Sequence, residues 1–339
     1  RQRQMCIRDR LEFQLFIIFQ MEVIQSNNLG EKISNWYAKN GRQNLPWRYD
    51  ISPYRVWISE IMLQQTQVNT AIAYFERFMA KYPDLQTIKN ATEDDIYNMW
   101  SGLGYYRRAS FIFQAKELIH AKFKGEMPDN YDDLMSLPGV GKSTAGAILS
   151  IAFNKPYPIL DANVKKVISR IFFKKNFEEK IFWNLSEDLL DKKNIFNFQQ
   201  GVMDLGSQLC LPKNPKCNLC PVSSNCQSNL RSEFPLLSKK SIKRKKEFLE
   251  FQLIQKNQKY FMTKENKLGY WANLWMPPVS KANHQKAEII HKLSHRELNI
   301  NFRNSNKKPK NIEGKWFHKK ELALIAIPKP IFNRLLIDG

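Results

Sequence analysis

Hydrophobic residues between positions 29 and 209 recur every three to four residues, the spacing of an amphipathic helix. Ser52 and Pro53 predict one helix start, because serine caps a helix N-terminus and proline fits its first turn. Thr92 predicts the start of a short helix. Longer helices are predicted over residues 105–123, 143–153, 162–173, 178–190 and 196–209. No alternating strand pattern occurs here, so we predict an all-α domain.

After residue 246 the hydrophobic pattern changes. Residues 248–254 and 259–262 predict two strands joined by a polar turn, and residues 298–302 alternate like a third strand. Residues 330–336 predict a closing helix. The predicted fold class is therefore mostly α, with a helical domain followed by a smaller α+β domain.

Composition agrees with a globular chain and adds a strong positive charge. Of 339 residues, 43% are hydrophobic and 25% are charged, and 53 Lys and Arg against 32 Asp and Glu give a net charge of +21. Such a charge indicates a polyanionic partner, either nucleic acid or an anionic membrane surface. Residues 227–339 carry 24 basic and 9 acidic groups, so most of the excess lies there. No apolar run reaches the ~18 residues of a membrane span.

These changes in pattern and charge divide the chain. Met21 is a candidate start of the native protein, and the basic linker fits either a solvated connector or a segment lying along DNA. The predicted segments are an unassigned extension over 1–20, an all-α domain over 21–209, a cysteine-rich loop over 210–226, the basic linker over 227–246 and the α+β domain over 247–339.

The strongest local motif is Leu137-Pro-Gly-Val-Gly-Lys-Ser-Thr-Ala145, which lies between two predicted helices. Two glycines in a tight turn let backbone N–H groups approach a phosphate, and the next helix adds its positive dipole end. This is the helix–hairpin–helix pattern of DNA binding without sequence specificity. An ordinary glycine turn fits the same residues. A nucleotide-binding phosphate loop does not fit, because its first glycine would be Ser136.

Four cysteines lie close together in a proline-rich stretch, at Cys210, Cys217, Cys220 and Cys226. Four thiolates at such short spacing indicate a metal site, which could hold either zinc or an iron–sulfur cluster. Generic four-cysteine spacing does not separate the two.

Two carboxylates each have two interpretations. Asp161 stands before a predicted helix, where an aspartate is most often only an N-cap. Glu60 lies inside an apolar helix, either at the edge of its apolar face or buried with a raised pKa. A raised pKa would suit a general acid.

Taken together, these residues resemble the A/G-specific adenine DNA glycosylases, the MutY type within the endonuclease III superfamily. The resemblance runs from about residue 29 to residue 226, and more loosely to the C-terminus. It implies a helix–hairpin–helix glycosylase fold with a [4Fe–4S] cluster on the four cysteines. The matching strings are Leu45-Pro-Trp-Arg48, Trp57-Ile-Ser-Glu-Ile-Met-Leu-Gln-Gln-Thr-Gln-Val68, Trp100-Ser-Gly-Leu-Gly-Tyr-Tyr-Arg107, residues 137–147 and Pro158-Ile-Leu-Asp-Ala-Asn-Val164.

The resemblance also implies roles for individual residues. Glu60 matches the acid that protonates N7 of adenine. Asp161 matches the carboxylate that stabilises or traps the positively charged sugar, with Asn163 as its helper. The base must leave the helix stack before it can be removed. Gln65 and Tyr105 match the residues that intercalate beside the lesion, and the implied base pocket is lined by Trp47, Arg48 and Gln200. The other residues implied in contacts with the DNA are Leu137, Gly139, Val140, Gly141 and Ser143.

Position 143 separates close relatives. Glycosylases of this superfamily that also cut the strand carry a lysine there, whose amine forms a Schiff base with the sugar. This chain has Ser143, and Lys142 points about 100° away around the helix. The resemblance therefore implies a monofunctional glycosylase.

The C-terminal domain resembles the Nudix-related domain with which this family recognises 8-oxoguanine. The catalytic sequence of Nudix hydrolases is missing, so we expect binding without hydrolysis. Leu293-Ser-His295 matches the family's Phe-Ser-His loop and implies Ser294 and His295 as readers of the lesion, although a surface histidine in a polar loop fits too. Ala162 and Leu293 depart from the glycine and phenylalanine usual in the family.

The implied partner is duplex DNA with adenine opposite 8-oxoguanine or guanine, bound by a monomer at the nucleoid in a bacterial cytoplasm. Replication or mismatch-repair proteins are possible further partners. An endonuclease III-like glycosylase/lyase for oxidised pyrimidines is disfavoured by Ser143, by Gln64 and Gln65 and by the extra domain. A noncatalytic DNA-binding or iron–sulfur redox protein is disfavoured by the two carboxylates in their expected strings.

Overall fold

The computed structural model describes residues 29–236, 244–282 and 286–337. The predicted extension over 1–20 and residues 237–243 of the predicted linker lie outside the described residues. The helices are α1 (29–40), α2 (Pro53–Leu63), α3 (Val68–Lys81), α4 (Leu85–Ile88), α5 (Glu93–Trp100), α6 (Arg107–Lys122), α7 (Tyr131–Ser136), α8 (Lys142–Ala147), α9 (Ala162–Ile171), α10 (Glu179–Asp188), α11 (Ile195–Asp204), α12 (Gln227–Leu230) and α13 (Lys329–Ile337). The strands are β1 (Lys245–Lys256), β2 (Lys259–Met262), β3 (Val279–Lys281), β4 (Ile289–Lys292), β5 (Arg296–Ser305) and β6 (Lys315–His318).

The chain divides into two compact units, each considered by itself. The first holds the described residues up to Gln64 and those of Glu126–Ser238, and the second holds Gln65–Gly125 and the described residues after 243. The sequence instead predicts one helical domain over 21–209, so the domain boundaries stay a prediction. The predicted fold class is confirmed, because helices fill 29–236 and an α+β part follows.

The first unit is helical throughout its described residues. Ser52 caps α2 as predicted, since its hydroxyl accepts the Arg55 N–H at 3.2 Å. Helices α8 and α11 each continue into a π-helical turn, over Ile148–Ala152 and Leu205–Leu209. Apolar faces of α1, α9, α10 and α11 form its core, with members that include Ile33, Val167, Ile168, Phe182, Phe198 and Val202.

The second unit combines α3 to α6 with a six-stranded sheet in the order β4-β5-β1-β2-β6, with β3 also beside β1. Strands β1 and β5 are parallel, and the other pairs are antiparallel. Polar contacts join the sheet part to the first turn of α5, because Asn273 Nδ2 donates to Glu93 Oε1 at 2.9 Å and Lys264 pairs with Asp94. In the part of the chain that the structure describes, no helix is both long and apolar enough to cross a membrane.

Candidate active site

Glu60 lies on α2, a helix that otherwise fills the core with residues such as Trp57, Ile58 and Ile61, all at 0% exposure. Its own side chain is half-buried. Burial is the main cause that raises the pKa of Glu60 to about 7; the Asp161 carboxylate raises it further, and Arg48 lowers it. Of the two interpretations of this residue, a carboxyl partly withdrawn from water with a raised pKa agrees with the structure better than one at the solvent edge. Such a group is partly protonated at neutral pH, as a general acid requires.

Asp161 is the N-cap of α9 and also a neighbour of Glu60. Its Oδ1 accepts the Val164 N–H at 2.7 Å, and Asn163 Nδ2 lies 3.5 Å from Oδ2. Burial raises the pKa of Asp161, while the Val164 and Asn163 hydrogen bonds and the nearby Lys166 oppose that rise. The capping interpretation is therefore right, but it leaves the second carboxylate oxygen available on the side of Asn163.

Close packing at two glycines positions Asp161 and Asn163 at the start of α9. A Cβ on Gly206 would lie 2.6 Å from the Cβ of Asn163, so the start of α9 can reach its place only beside a glycine. A Cβ on Gly146 would lie 2.3 Å from the Pro158 carbonyl oxygen, on the segment that leads into Asp161. Neither glycine was predicted to position the site, although the small residues Ala145-Gly-Ala147 on a helix signal a close approach.

The segment before Asp161 is also held by hydrogen bonds. The Leu160 N–H donates to Ser143 Oγ at 3.1 Å, and Ser186 Oγ donates to the Ile159 carbonyl at 2.8 Å. Ser143 was predicted among the DNA-contacting residues, and the structure places its hydroxyl on the backbone of Leu160, next to Asp161. Lys142, its neighbour, lies with Nζ 3.7 Å from a Glu179 oxygen.

Arg48 forms a buried ion pair that the sequence did not reveal. Its Nη1 and Nη2 donate to the two oxygens of Asp204 at 2.8 and 3.0 Å. Arg42 binds the same carboxylate through its Nε at 2.9 Å. Burial would raise the pKa of Asp204, but the hydrogen bonds and charges of Arg48 and Arg42 hold that pKa below its usual value. Arg48 thus faces Asp204 and still contributes positive charge near Glu60.

The two other residues predicted for the base pocket of this unit are also buried. Trp47 lies within a turn that is closed by the Arg48 N–H donating to the Leu45 carbonyl, and Gln200 lies on α11. They are 6% and 3% exposed. Buried side chains of this kind can form the wall of a pocket, but they offer little surface to the DNA backbone.

The predicted helix–hairpin–helix turn joins α7 to α8. The Val140 N–H donates to the Leu137 carbonyl at 3.1 Å, with proline second in the turn and Gly139 third at φ +82°. A type II turn requires positive φ at its third residue, so glycine is needed there. Gly141 caps α8, and a Cβ on it would meet nothing within 4 Å. The open space in front of the helix start is what an approaching phosphate needs.

The four cysteines line one cavity, together with the buried Arg170. Arg170 Nη1 lies 3.4 Å from Cys210 Sγ and also binds the Leu211 carbonyl at 2.6 Å. Burial raises the pKa of Cys220 to about 12 and that of Cys226 above its usual range, so bound metal would be needed to make them thiolates.

The spacing of these thiols bears on which metal group fits. Thiolates around one zinc ion stand ~3.8 Å apart, given Zn–S bonds of about 2.3 Å. Among the described residues, no three His, Cys, Asp or Glu side chains converge closely enough to hold a single ion. The residues that line the cavity, four cysteines with a buried arginine beside them, are a donor set compatible with an iron–sulfur cluster.

Four predicted site residues belong to the second unit. Gln65 and Tyr105 have φ of 55° and 52°, and Tyr105 is 48% exposed. Positive φ is uncommon for residues other than glycine and often marks a functional position. Ser294 and His295 are exposed at the tip of the turn between β4 and β5, which the Leu293 N–H closes by donating to the Arg296 carbonyl at 2.8 Å.

Comparison with known proteins identifies the family. Residues 58–189 match the model of the HhH-GPD superfamily of base excision DNA repair proteins. An adenine DNA glycosylase of Buchnera aphidicola subsp. Schizaphis graminum (strain Sg) is 38% identical to this chain, over 88% of this chain and 95% of its own length. The chain belongs to the adenine DNA glycosylase family. It is therefore an enzyme of base excision repair that hydrolyses N-glycosyl bonds.

Solved structures are similar over about three fifths of the chain. A thermostable thymine-DNA glycosylase shares 28% identity at a TM-score of 0.57, over 61% of this chain and 98% of its own. A non-covalent endonuclease III–DNA complex aligns at a TM-score of 0.53 with 21% identity, over 62% of this chain and 97% of that one. The predicted helix–hairpin–helix glycosylase fold is thus confirmed.

Proposed function

We propose that this protein is a monofunctional glycosylase that removes adenine paired with 8-oxoguanine, or with guanine, from duplex DNA. The observation that carries the proposal is the juxtaposition of two carboxyl groups with different environments. Burial beside Asp161 raises the pKa of Glu60 to about 7. Burial also raises the pKa of Asp161, but the hydrogen bonds from Val164 and Asn163 and the charge of Lys166 oppose that rise and favour its ionised form. One group can supply a proton while the other stays charged.

The acid in this mechanism is Glu60. Adenine leaves deoxyribose poorly as an anion, and a proton delivered to N7 makes it a neutral leaving group. A pKa of about 7 leaves a large fraction of Glu60 protonated at neutral pH. Trp47, Arg48 and Gln200 form the wall of the pocket that receives the flipped base. Arg48 also keeps the pKa of Glu60 from rising further.

The charge-stabilising group is Asp161. As the bond to adenine breaks, positive charge develops on the sugar, and a carboxylate nearby stabilises that state or forms a bond with it. The cap to the Val164 N–H and the neighbouring Asn163 amide fix the carboxylate in place. Water then attacks the sugar, and the products are free adenine and an abasic site.

The absence of a strand-cutting step is proposed from position 143. Ser143 offers no amine for a Schiff base, and its hydroxyl accepts the Leu160 N–H. Lys142 is directed to Glu179 and lies 6.0 Å from the centre of the Trp183 ring. Neither residue supplies a nucleophilic amine to the sugar.

DNA binding is assigned to both units. The turn formed by Leu137, Gly139, Val140 and Gly141 lets a phosphate approach the backbone at the start of α8, where a Cβ on Gly141 would meet nothing within 4 Å, and the net charge of +21 attracts the duplex. Gln65 and Tyr105 insert beside the flipped base, and Ser294 and His295 contact the opposite base. An enzyme of this kind acts on chromosomal DNA, which in bacteria is the nucleoid.

The cofactor we propose is a [4Fe–4S] cluster on Cys210, Cys217, Cys220 and Cys226. When bound, the cluster would be held by the four cysteines as thiolates, and it would tie the 210–226 loop together. Arg170 adds a further positive charge on the side of Cys210.

A base-release assay with Glu60→Gln tests the proposal. The amide keeps the shape of the side chain but has no acidic proton to transfer to the base. Single-turnover release of adenine should therefore fall by at least about a thousandfold, while DNA affinity stays within about threefold. If the unmodified protein binds the duplex but releases no adenine, the chain is a noncatalytic DNA-binding member of the family. If the variant is as active as the parent, another group is the acid.

A further inference from the structure

The tip of the β4–β5 turn is built around a chain of polar contacts. Its two exposed residues are in contact, because Ser294 Oγ lies 3.2 Å from His295 Nδ1. On the other side of the ring, Arg296 Nε donates to His295 Nε2 at 3.0 Å. The backbone is held as well, since the Lys245 N–H donates to the His295 carbonyl at 3.1 Å. The side chains at this tip therefore have a defined geometry although they are exposed.

Arg296 is anchored from below by two residues. It forms an ion pair with Glu247, whose side chain is only 10% exposed, and its guanidinium lies over the ring of Tyr270 at 5.3 Å. The Tyr270 hydroxyl donates to the other oxygen of Glu247 at 2.9 Å. A planar guanidinium held on its edge and on its face has little freedom to turn. Its Nε–H is consequently aimed at His295.

Because the donor is Arg296, it determines which ring nitrogen of His295 carries the proton. A guanidinium has donors and no acceptor, so Nε2 of His295 must accept and carries no proton. The proton of the neutral ring is then on Nδ1, which donates to Ser294 Oγ. Because that oxygen accepts from the ring, the hydroxyl hydrogen of Ser294 is directed elsewhere, toward the exposed side of the turn.

We propose that Arg296 is a positioning residue that fixes the tautomer of His295 and thereby presents Ser294 as a hydrogen-bond donor to the base opposite the adenine. The proposal rests on the proposed reading of 8-oxoguanine by this turn. At C8 the lesion has a carbonyl oxygen, which accepts a hydrogen bond, where guanine has only C–H. A serine hydroxyl directed at that C8 oxygen as a donor therefore favours the oxidised base.

The test measures single-turnover release of adenine opposite 8-oxoguanine and opposite guanine, and takes the ratio of the two rates. Ser294→Ala and Arg296→Met should each lower this ratio about tenfold, and the double variant should lower it no further, since both changes remove the same hydrogen bond. Arg303→Met, an exposed arginine of the same strand, is the matched control and should leave the ratio unchanged.

Nitrogen-15 NMR of the five histidines gives a readout that a merely structural role would not move. The His295 signal is identified as the one that disappears in His295→Asn. In the unmodified protein this signal should show a proton on Nδ1, and in Arg296→Met the proton should move to Nε2. Tyr270→Phe, which keeps the ring and removes only the hydroxyl on Glu247, should cause a smaller shift in the same direction. Tyr270→Phe therefore still tests the role of Arg296 if Arg296→Met does not fold.

The outcomes separate this inference from the function on which it rests. Losses that add in the double variant, an unchanged tautomer, or an equal fall on both substrates would overturn the role of Arg296. If Ser294→Ala leaves the ratio unchanged, Ser294 does not read the lesion. If the unmodified enzyme does not distinguish the two substrates at all, the proposed specificity for 8-oxoguanine fails whatever the tautomer.

Discussion

At the residue scale, the site consists of polar groups whose burial lowers the stability of the folded protein. Glu60 is partly withdrawn from water and close to a second carboxylate, and Arg48 and Asp204 form a buried ion pair beside it. The ionised form of a buried carboxyl is disfavoured unless it is paired. The residue that we propose as the acid is therefore also one that strains the folded state.

Replacement of Glu60 by glutamine should stabilise the protein above neutral pH. The pKa of Glu60 is about 7 when folded and 4.5 as an ordinary glutamate, so the folded state binds more protons between these values. Stability therefore falls as pH rises through this window, and the loss is complete above pH 7. At pH 8 the free energy of unfolding of Glu60→Gln should exceed that of the parent by about 1–3 kcal/mol.

The measurement is thermal or urea unfolding of both proteins at pH 4.5 and at pH 8. Near pH 4.5 the parent's Glu60 is already protonated, so the two proteins should then have similar stabilities. A glutamine variant that is less stable than the parent at both pH values would show that Glu60 is a favourable structural contact.

Individual site residues could be predicted where a sequence motif surrounds them. Glu60, Asp161 and the four cysteines all stand in such motifs, and their roles remain predictions. Asp204 was not predictable, because its partner Arg48 is 156 positions away and an aspartate inside a helix has no distinguishing local pattern. Ser143 was noticed for the lysine that it replaces, and its contact with the Leu160 N–H needed the fold.

At the scale of elements, the start of α9 is positioned by close packing. Gly146 within α8 and Gly141 at its N-cap differ in what surrounds them. A Cβ on Gly146 would collide with the Pro158 carbonyl oxygen, and one on Gly141 would meet nothing within 4 Å. The same substitution at the two positions therefore separates two properties of the enzyme.

Gly146→Ala should lower the stability by about 1–3 kcal/mol and the rate of adenine release at least tenfold, since the segment before Asp161 must move. Gly141→Ala should leave the stability within about 0.5 kcal/mol, because its φ of −99° suits alanine, but should weaken DNA binding by crowding the phosphate. Unfolding curves, rates and DNA titrations of the two variants check this. Equal losses of stability in both would contradict the packing argument.

Helix and strand positions followed the sequence pattern closely, because capping and periodicity are local. Thr92 caps α5 with Asp95 at its third residue, and β1 and β2 lie where the two apolar runs predicted them. Helix α6 begins at Arg107, two residues after its predicted start, since Tyr105 takes a left-handed backbone. Pairing was not predictable: the parallel register of β1 with β5 joins residues about fifty positions apart.

At the scale of the whole molecule, the net charge of +21 favours binding to DNA, and the proposed cluster crosslinks the 210–226 loop. We predict that the purified protein contains iron and acid-labile sulfide, at about four of each per chain. Replacement of Cys220 by serine should lower both and reduce DNA affinity, since the 210–226 loop loses its crosslink. Elemental analysis checks this, and about one zinc per chain without sulfide would contradict the cluster assignment.

The central claim is that this family member removes adenine and leaves the strand intact. The most direct measurement incubates the purified protein with a duplex that has one adenine opposite 8-oxoguanine and develops the reaction with and without hot alkali. We predict that the strand breaks at the adenine only after alkali. Breakage without alkali would show a strand-cutting amine and contradict the assignment of Ser143 and Lys142. No breakage in either case, from protein with its cluster intact, would contradict the adenine glycosylase activity itself.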